Sequence, residues 1–253
     1  MRSEKLAELL GNSMGDGSLE YAKRKRFQLR GHETEDREHY QKFIIPTFNE
    51  IIALPLAGKT VGTITDHKRN SYGISIESKV VVEFLKNHGL PTGDKKELSI
   101  PVWIRQNEKF LKAFLRGLFD TDGSIYFSKN YSAKSNHHKA TRLVLGMTSK
   151  KLINQIHKSL LSMGFHPYLI KPFKSKTNKR YAYRVQISKK EDIIKWVEEI
   201  GFSNSKHMTK YLIRIRYGFC PPLTTIQQRK DILENKLDPK SFYAYGKVEG
   251  LVS

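Results

Sequence analysis

Two glycine-framed acidic heptamers, "GNSMGDG" at 11–17 and "GLFDTDG" at 117–123, do most to limit what this chain can fold into. Asp16 and Asp122 hold the same place in them, 106 positions apart. The flanks obey the same offset: Ala7 falls on Ala113, Leu9 on Leu115, Gly11 on Gly117, and Gly17-Ser18 on Gly123-Ser124. Self-similarity at one fixed offset argues for two copies of a single structural plan.

The segments after each heptamer repeat as well. Strands are expected near 18–22 and 26–31, and again near 124–128 and 141–147; helices follow near 36–53 and 149–163. "TVGTITD" and "SYGISIES" form a second strand pair, matched by "PYLIKPF" and "YAYRVQIS", and helices close each copy near 78–88 and 189–200. Alternation supports the strands: Phe27 and Leu29 point one way, Arg26, Gln28 and Arg30 the other. The order in each copy is helix, two strands, helix, two strands, helix. The expected fold is therefore α+β: two αββαββα repeats related by a pseudo-twofold axis, antiparallel sheets packed around a central pair of helices. The repeats divide at a turn-rich stretch, "LPTGDKKELSIPVWIRQN". The expected units are 1–100, 101–218 and a C-terminal extension, 219–253, with a helix near 225–236 and no assigned role.

The helices before the heptamers carry small residues four apart, Ala7 with Gly11 and Ala113 with Gly117. Such faces allow close approach, which would bring the two C-terminal ends together. Gly17 and Gly123 then provide a sharp exit from helix to strand. Asp16 and Asp122 would face each other there. Two adjacent carboxylates repel unless a proton or a cation lies between them. An all-oxygen site suits magnesium, its remaining positions filled by water and phosphate.

Charge suggests where the phosphate comes from. Lys and Arg total 45 against 25 Asp and Glu, a formal net charge of +20. Such an excess favours a polyanionic partner, nucleic acid above all. No apolar stretch approaches the ~18–20 residues that span a bilayer, so no membrane role is expected. The N-terminus is too short and polar for a signal peptide, and the single cysteine, Cys220, excludes an internal disulfide. An intracellular protein, in cytoplasm, nucleoid or organelle matrix, is expected rather than a secreted one.

"LLGNSMGDG" and "LRGLFDTDG" resemble the paired motif of the LAGLIDADG homing endonucleases in their monomeric two-repeat form. The likeness covers roughly 5–218, and "SIPVWI" and "EIGFSNSK" share it. It implies a saddle of antiparallel strands on double-stranded DNA and Mg2+-dependent double-strand cleavage, with Mn2+ able to substitute. Carried over by motif place, Asp16 and Asp122 would bind metal, with the backbone carbonyls of Gly15 and Thr121 as further ligands. The sixth motif place is Asp120 in the second copy but Met14 in the first, where the family usually has an acid near the helix end.

Catalysis at a phosphodiester also calls for a basic group near the scissile phosphate. The resemblance points to a lysine just after the last helix of each repeat: Lys95 or Lys96 in "GDKKELSIP", and Lys206 in "GFSNSKHMTK". Polar strand faces would read bases: Arg26, Gln28, Arg30, Ser75 and Glu77 in the first repeat, Arg180, Arg184 and Gln186 in the second. Arg and Gln suit base edges, and a two-stranded ribbon fits the major groove. Under the motif alignment, Arg142, Val144 and Gly146 stand where Arg26, Gln28 and Arg30 do, so an asymmetric target is expected. Three basic loops, "AKRKR" with Arg24, "DHKRN" with Lys68 and Arg69, and "KSKTNKR" with Lys174 and Lys176, would bind phosphates. His137 and His138 are expected to be solvent-exposed, and His32 follows the second strand toward the presumed centre.

The function expected is a site-specific, double-strand DNA endonuclease, acting as a monomer. The same scaffold can bind intron RNA as a maturase or DNA as a non-cutting regulator, but a pure binder needs neither Asp16 nor Asp122. A ribosomal or RNA-packaging protein would explain the charge and not the paired acidic repeat. With Met1 at one end, "EGLVS" at the other and no splicing Cys or His-Asn terminus, a free-standing intron-encoded enzyme is expected rather than an intein.

Overall fold

A computed structural model describes residues 2–129, 137–174 and 180–244. Helix α1 (Glu4–Asp16) starts at Ser3, whose hydroxyl accepts the Leu6 N–H. Its equivalent, α7 (Glu108–Asp122), starts at Asn107, whose side-chain Oδ1 accepts the Phe110 N–H. Each cap satisfies an amide that the first helical turn leaves without a partner. These two helices make the most extensive contact of any two elements in the fold.

That contact depends on Gly11 and Gly117. A Cβ at Gly11 would strike the Phe114 carbonyl, and one at Gly117 would strike the Glu8 carbonyl. Each glycine thus lets the opposing backbone come within van der Waals range. Leu10, Met14, Phe114 and Leu118 are fully buried around the seam, each contributing about 1.5–3 kcal/mol of apolar burial. Gly17 and Gly123 turn helix directly into strand, as expected, but with extended, negative-φ backbone (φ −82° and −80°) rather than a left-handed one; a Cβ there would meet the Ser13 and Phe119 carbonyls.

The first sheet runs β1 (Gly17–Glu20), β2 (Arg26–His32), β4 (Ser71–Glu77), β3 (Gly62–Asp66) in spatial order. The second runs β5 (Gly123–Lys129), β6 (His138–Met147), β8 (Tyr181–Ile187), β7 (Tyr168–Lys174), the same order. All neighbouring pairs are antiparallel. Register carries the correspondence between repeats past the heptamers: Gly17 pairs with Leu29 and Gly123 with Leu145, so Gln28 and Val144 hold equivalent places.

The helix after β2 is one continuous rod with an unusual interior. α2 (Arg37–His39), α3 (Ile45–Phe48) and α4 (Leu54–Ala57) alternate with π-helical stretches at Tyr40–Ile44 and Asn49–Ala53. Each π stretch immediately precedes a proline-bearing turn, Ile45-Pro46 and Leu54-Pro55. Proline lacks an N–H and crowds the carbonyl four residues back, and a wider turn relieves both conflicts. Its counterpart, α8 (Lys150–Ser162), has no proline and is regular. The closing helices are α5 (Lys79–Asn87) and α9 (Lys190–Glu199).

The short α6 (Val102–Arg105) leads into α7. The thirteen-residue α10 (Ser205–Tyr217), capped by Asn204 and ended by left-handed Gly218, had no place in the expected order. Beyond it lie α11 (Ile226–Leu233), shorter than expected, and α12 (Ser241–Ala244). One apolar core runs through both repeats. A small second cluster, Ile213, Cys220 and Ile232, sits under the extension. Among the described residues no helix is long and apolar enough to cross a membrane.

Candidate active site

Asp16 and Asp122 are the last residues of α1 and α7, so the helix seam delivers them side by side. A Cβ on Gly15 would lie 2.6 Å from Asp122 Oδ2, which shows how closely the second carboxylate approaches the first helix end. Burial, then the neighbouring Asp122 and Asp36, push the Asp16 carboxyl up to about 7 despite Lys206 and Lys95. Burial likewise pushes Asp122 up to about 6, against Lys95 and Lys206. The negative poles of two helix dipoles converge here as well. Asp122 Oδ2 is buried without a hydrogen-bond partner. An orphaned carboxylate oxygen in a pair this electronegative fits a cation. Asp16 and Asp122 would hold it, and Gly15 and Thr121 are the carbonyls within reach of the same helix ends. Among the described residues no group of three or more His, Cys, Asp or Glu side chains could enclose an ion alone. The remaining positions would fall to water and phosphate, as oxygen-bound magnesium prefers.

Two lysines flank the pair, each from a different repeat. Lys95 donates to the Gly15 carbonyl and lines a cavity of about 450 Å³ with Asp122, Ser124, Thr148 and Arg184. Burial lowers its pKa, with Asp122 and Asp16 opposing that shift. Lys96 turns away to Asp94 (3.2 Å), its side chain 58% exposed, so of the two adjacent lysines Lys95 enters the site. Lys206, at the start of α10, lies 2.8 Å from Asp36 Oδ1.

Asp36 was missed by sequence reasoning. It sits among Glu33, Glu35 and Glu38, and nothing in their spacing singles it out. In the fold it is buried, accepts from the His32 N–H (2.8 Å) and Asn204 Nδ2 (2.7 Å), and pairs with Lys206. Burial works to raise its carboxyl, but Lys206 and Asn204 outweigh that and hold it below the ordinary range. Behind it lies a polar seam between the repeats. Glu8, 3% exposed, pairs with Arg116 (2.5 Å) and accepts from Ser203 Oγ, and Asn12 Oδ1 meets His39 Nε2 at 3.3 Å. Burial pushes His39 down to about 4, so it is neutral there.

The expected base readers fall on the sheets as alternation predicts, except Gln186, which is buried, and Arg180, which lies just before β8. Phe27 and Leu29 are buried while Arg26, Gln28 and Arg30 stay partly open. Arg26 pairs with Glu20 (2.9 Å), Gln28 Nε2 donates to Ser75 Oγ (3.2 Å), and Arg24 lies 3.9 Å from Glu77. Gln186 contradicts expectation. It is 2% exposed, donates to Ser188 Oγ and Tyr168, and accepts from Tyr126, so its amide is consumed internally. Arg184 lies exposed on the next strand position of that face, its guanidinium over Phe173 (4.3 Å). Arg142 is half-buried on β6, and Arg180 lies 3.7 Å from Asp94. Lys68, Arg69 and Lys174 are exposed; Lys176 lies outside the described residues.

His137 and His138 also depart from expectation. His137 stacks on Phe219 (4.4 Å), and His138 Nδ1 meets the Tyr243 hydroxyl at 3.1 Å. Both are half-buried by the extension, a packing with no local pattern in the chain to announce it. His32 is exposed, its ring Nε2 2.9 Å from Asn70.

A family model described as a LAGLIDADG-like domain matches residues 109–201. Among curated proteins, the replication factor C small subunit of Methanocaldococcus jannaschii is 28% identical over 210 residues, 83% of this chain. The chain spans 10% of that relative's length. Among solved structures, an I-DmoI variant in complex with its target DNA and manganese aligns with a TM-score of 0.53 at 19% identity, covering 78% of this chain and 93% of that one. A variant of I-SmaMI aligns with a TM-score of 0.53 at 12% identity over 99% of both chains. The likeness to these structures is one of fold.

Proposed function

We propose that this chain, a LAGLIDADG protein in its two-repeat form, is a site-specific endonuclease that cuts both strands of a long, asymmetric DNA duplex with a divalent cation. The observation that carries the reading is the Asp16–Asp122 pair: two half-buried carboxylates, both raised by their surroundings, one with a buried, orphaned oxygen. Holding two such groups together is unfavourable for the bare fold, and a protein that only bound DNA would gain nothing by it. Bound there, Mg2+ or Mn2+ would polarise phosphate oxygens and activate water.

The chain's own groups supply the rest. Asp16 and Asp122 set the cation at the seam between the half-sites. Lys95 and Lys206 bring positive charge from either side toward the charge that develops on the scissile phosphates. Arg26, Gln28, Arg30 and Arg184 face the groove as base readers, and Arg24, Lys68, Arg69 and Lys174 position the backbone. The +20 charge provides the attraction. The match to a tenth of a replication factor supports a self-contained module with an activity of its own, whether expressed alone or within a longer chain.

The test is incubation with a library of long duplexes and Mg2+, followed by sequencing of the ends. Recovery of one recurrent site with paired breaks is expected. Random ends, or none, would remove the reading.

A further inference from the structure

The C-terminal extension leaves the second repeat after Gly218, yet its polar groups reach the first. Arg229, 1% exposed, places Nη2 2.5 Å from Glu35 Oε2, and its Nε donates to Thr209 Oγ1 on α10 (3.0 Å). The Ile226 N–H donates to the other oxygen of Glu35 (2.8 Å). Lys230 Nζ lies 2.7 Å from Glu38 Oε2, which also accepts from Ser205 Oγ (2.8 Å). Glu35 and Glu38 bracket Asp36, and Ser205 precedes Lys206.

These contacts meet where the chain turns from β2 into the following helical rod. Asp36 ends the short turn at 33–36 between β2 and the helical rod that starts at Arg37. A buried guanidinium holding a carboxylate is an anchor that cannot let go cheaply, since release would leave the Arg229 charge buried and unpaired. The other half-site is built differently. Lys95 rests on the Gly15 carbonyl, within its own repeat.

We propose that α11 is a strap that positions one half of the active site: through Glu35 and Glu38 it fixes the turn bearing Asp36, and through Asp36 it fixes Lys206. One strand of the duplex is then cut under control of the extension, and the other is not. The inference rests on the endonuclease reading for its consequence and on the Arg229 and Lys230 contacts for its cause.

The experiment uses the full chain and the recovered target labelled separately on each strand. Lys206→Met and Lys95→Met mark which strand each lysine serves. Arg229→Met and Lys230→Met are expected to slow the Lys206 strand on the order of tenfold more than the Lys95 strand, so nicked duplex accumulates. Equal slowing of both strands, no slowing, or selective slowing of the Lys95 strand would overturn the strap. So would lysine variants that fail to separate the strands. Lys230→Met, at a partly exposed position, guards against a result that is only unfolding. Amide exchange at 33–38 and 205–206 provides a readout independent of cleavage, expected to quicken about tenfold in Lys230→Met. If wild type cuts no duplex, the endonuclease reading fails, and exchange alone decides: unchanged protection would overturn the strap.

Discussion

Lys206 Nζ lies 2.8 Å from Asp36 Oδ1, a buried ion pair that joins the second repeat to the first. Lys95, its counterpart, holds a backbone carbonyl instead. The two halves of the proposed site therefore share a carboxylate pair and differ in how their basic groups are held.

Asp16→Asn or Asp122→Asn is expected to abolish cleavage while leaving the fold and DNA affinity intact. Each carboxylate ends a helix and faces its partner, with no packing role in the core. Losses on the order of 10³-fold or more in rate are expected, as for other groups that stabilise developing charge. Cleavage at wild-type rate by both variants would refute the assignment.

Stability should fall with pH in the absence of metal. Asp16 and Asp122 have folded-state values raised to about 7 and about 6, above those of an unfolded chain. Their contribution is complete below the unfolded value and is lost as pH rises through about 6 to 7. Asp120, fully buried and raised to about 8, acts in the same direction at slightly higher pH. Cation binding needs the ionised pair, so Mg2+ should raise the melting temperature more at about pH 8 than at about pH 5. A metal-free melting temperature that is flat over this range, or equal Mg2+ shifts, would contradict it.

Gly117→Val should destabilise the chain by about 1–3 kcal/mol or more, because the new side chain meets the Glu8 backbone carbonyl. Denaturant midpoints measure the effect. A neutral substitution would mean that the helices do not approach as described.

Affinity for DNA should depend steeply on salt. A chain of charge +20 that neutralises about six phosphates would lose on the order of 10³ in affinity between about 50 and 200 mM salt. Filter binding or fluorescence titration at several salt concentrations decides it, and a flat response would point to another partner.

Base preference should be asymmetric, for a reason visible in the register. Arg30 on β2 faces Gly73 on β4, whereas Gly146 on β6 faces Arg184 on β8. Each sheet keeps one arginine beside one glycine at this level, but from opposite strands. Arg30→Ala and Arg184→Ala should each relax preference by about 1–3 kcal/mol at one position, and those positions should not be mirror images. Matching losses at symmetric positions would refute this.

Much of the architecture was legible because the repeat fixed it: the offset of the heptamers predicts the seam, and alternation predicts the buried face of β2. The degenerate first motif becomes intelligible only in the fold. Asp120 accepts the Ser203 N–H (2.8 Å), just after left-handed Gly201. After left-handed Gly89, the corresponding place is Pro91, which has no N–H to satisfy. Met14 can therefore fill that place with apolar bulk. Asp36 and the α11 contacts were illegible for a different reason. They depend on pairings between residues nearly two hundred positions apart, such as Arg229 with Glu35, and carry no local pattern. α10 had local signals in Asn204 and Gly218, but its basic run reads equally as surface.

The seam between α1 and α7 also sets a clock. On the ribosome, Asp16 emerges long before Asp122, a delay on the order of 5–20 s at ordinary rates of synthesis. By the end of that interval the nascent chain carries basic loops and one complete sheet, yet Asp16 still lacks the carboxylate of the second helix end. A prematurely terminated product would be in the same condition permanently. The geometry thus withholds the paired carboxylates until the second helix has been made and docked, so on the endonuclease reading an unfinished chain cannot cut.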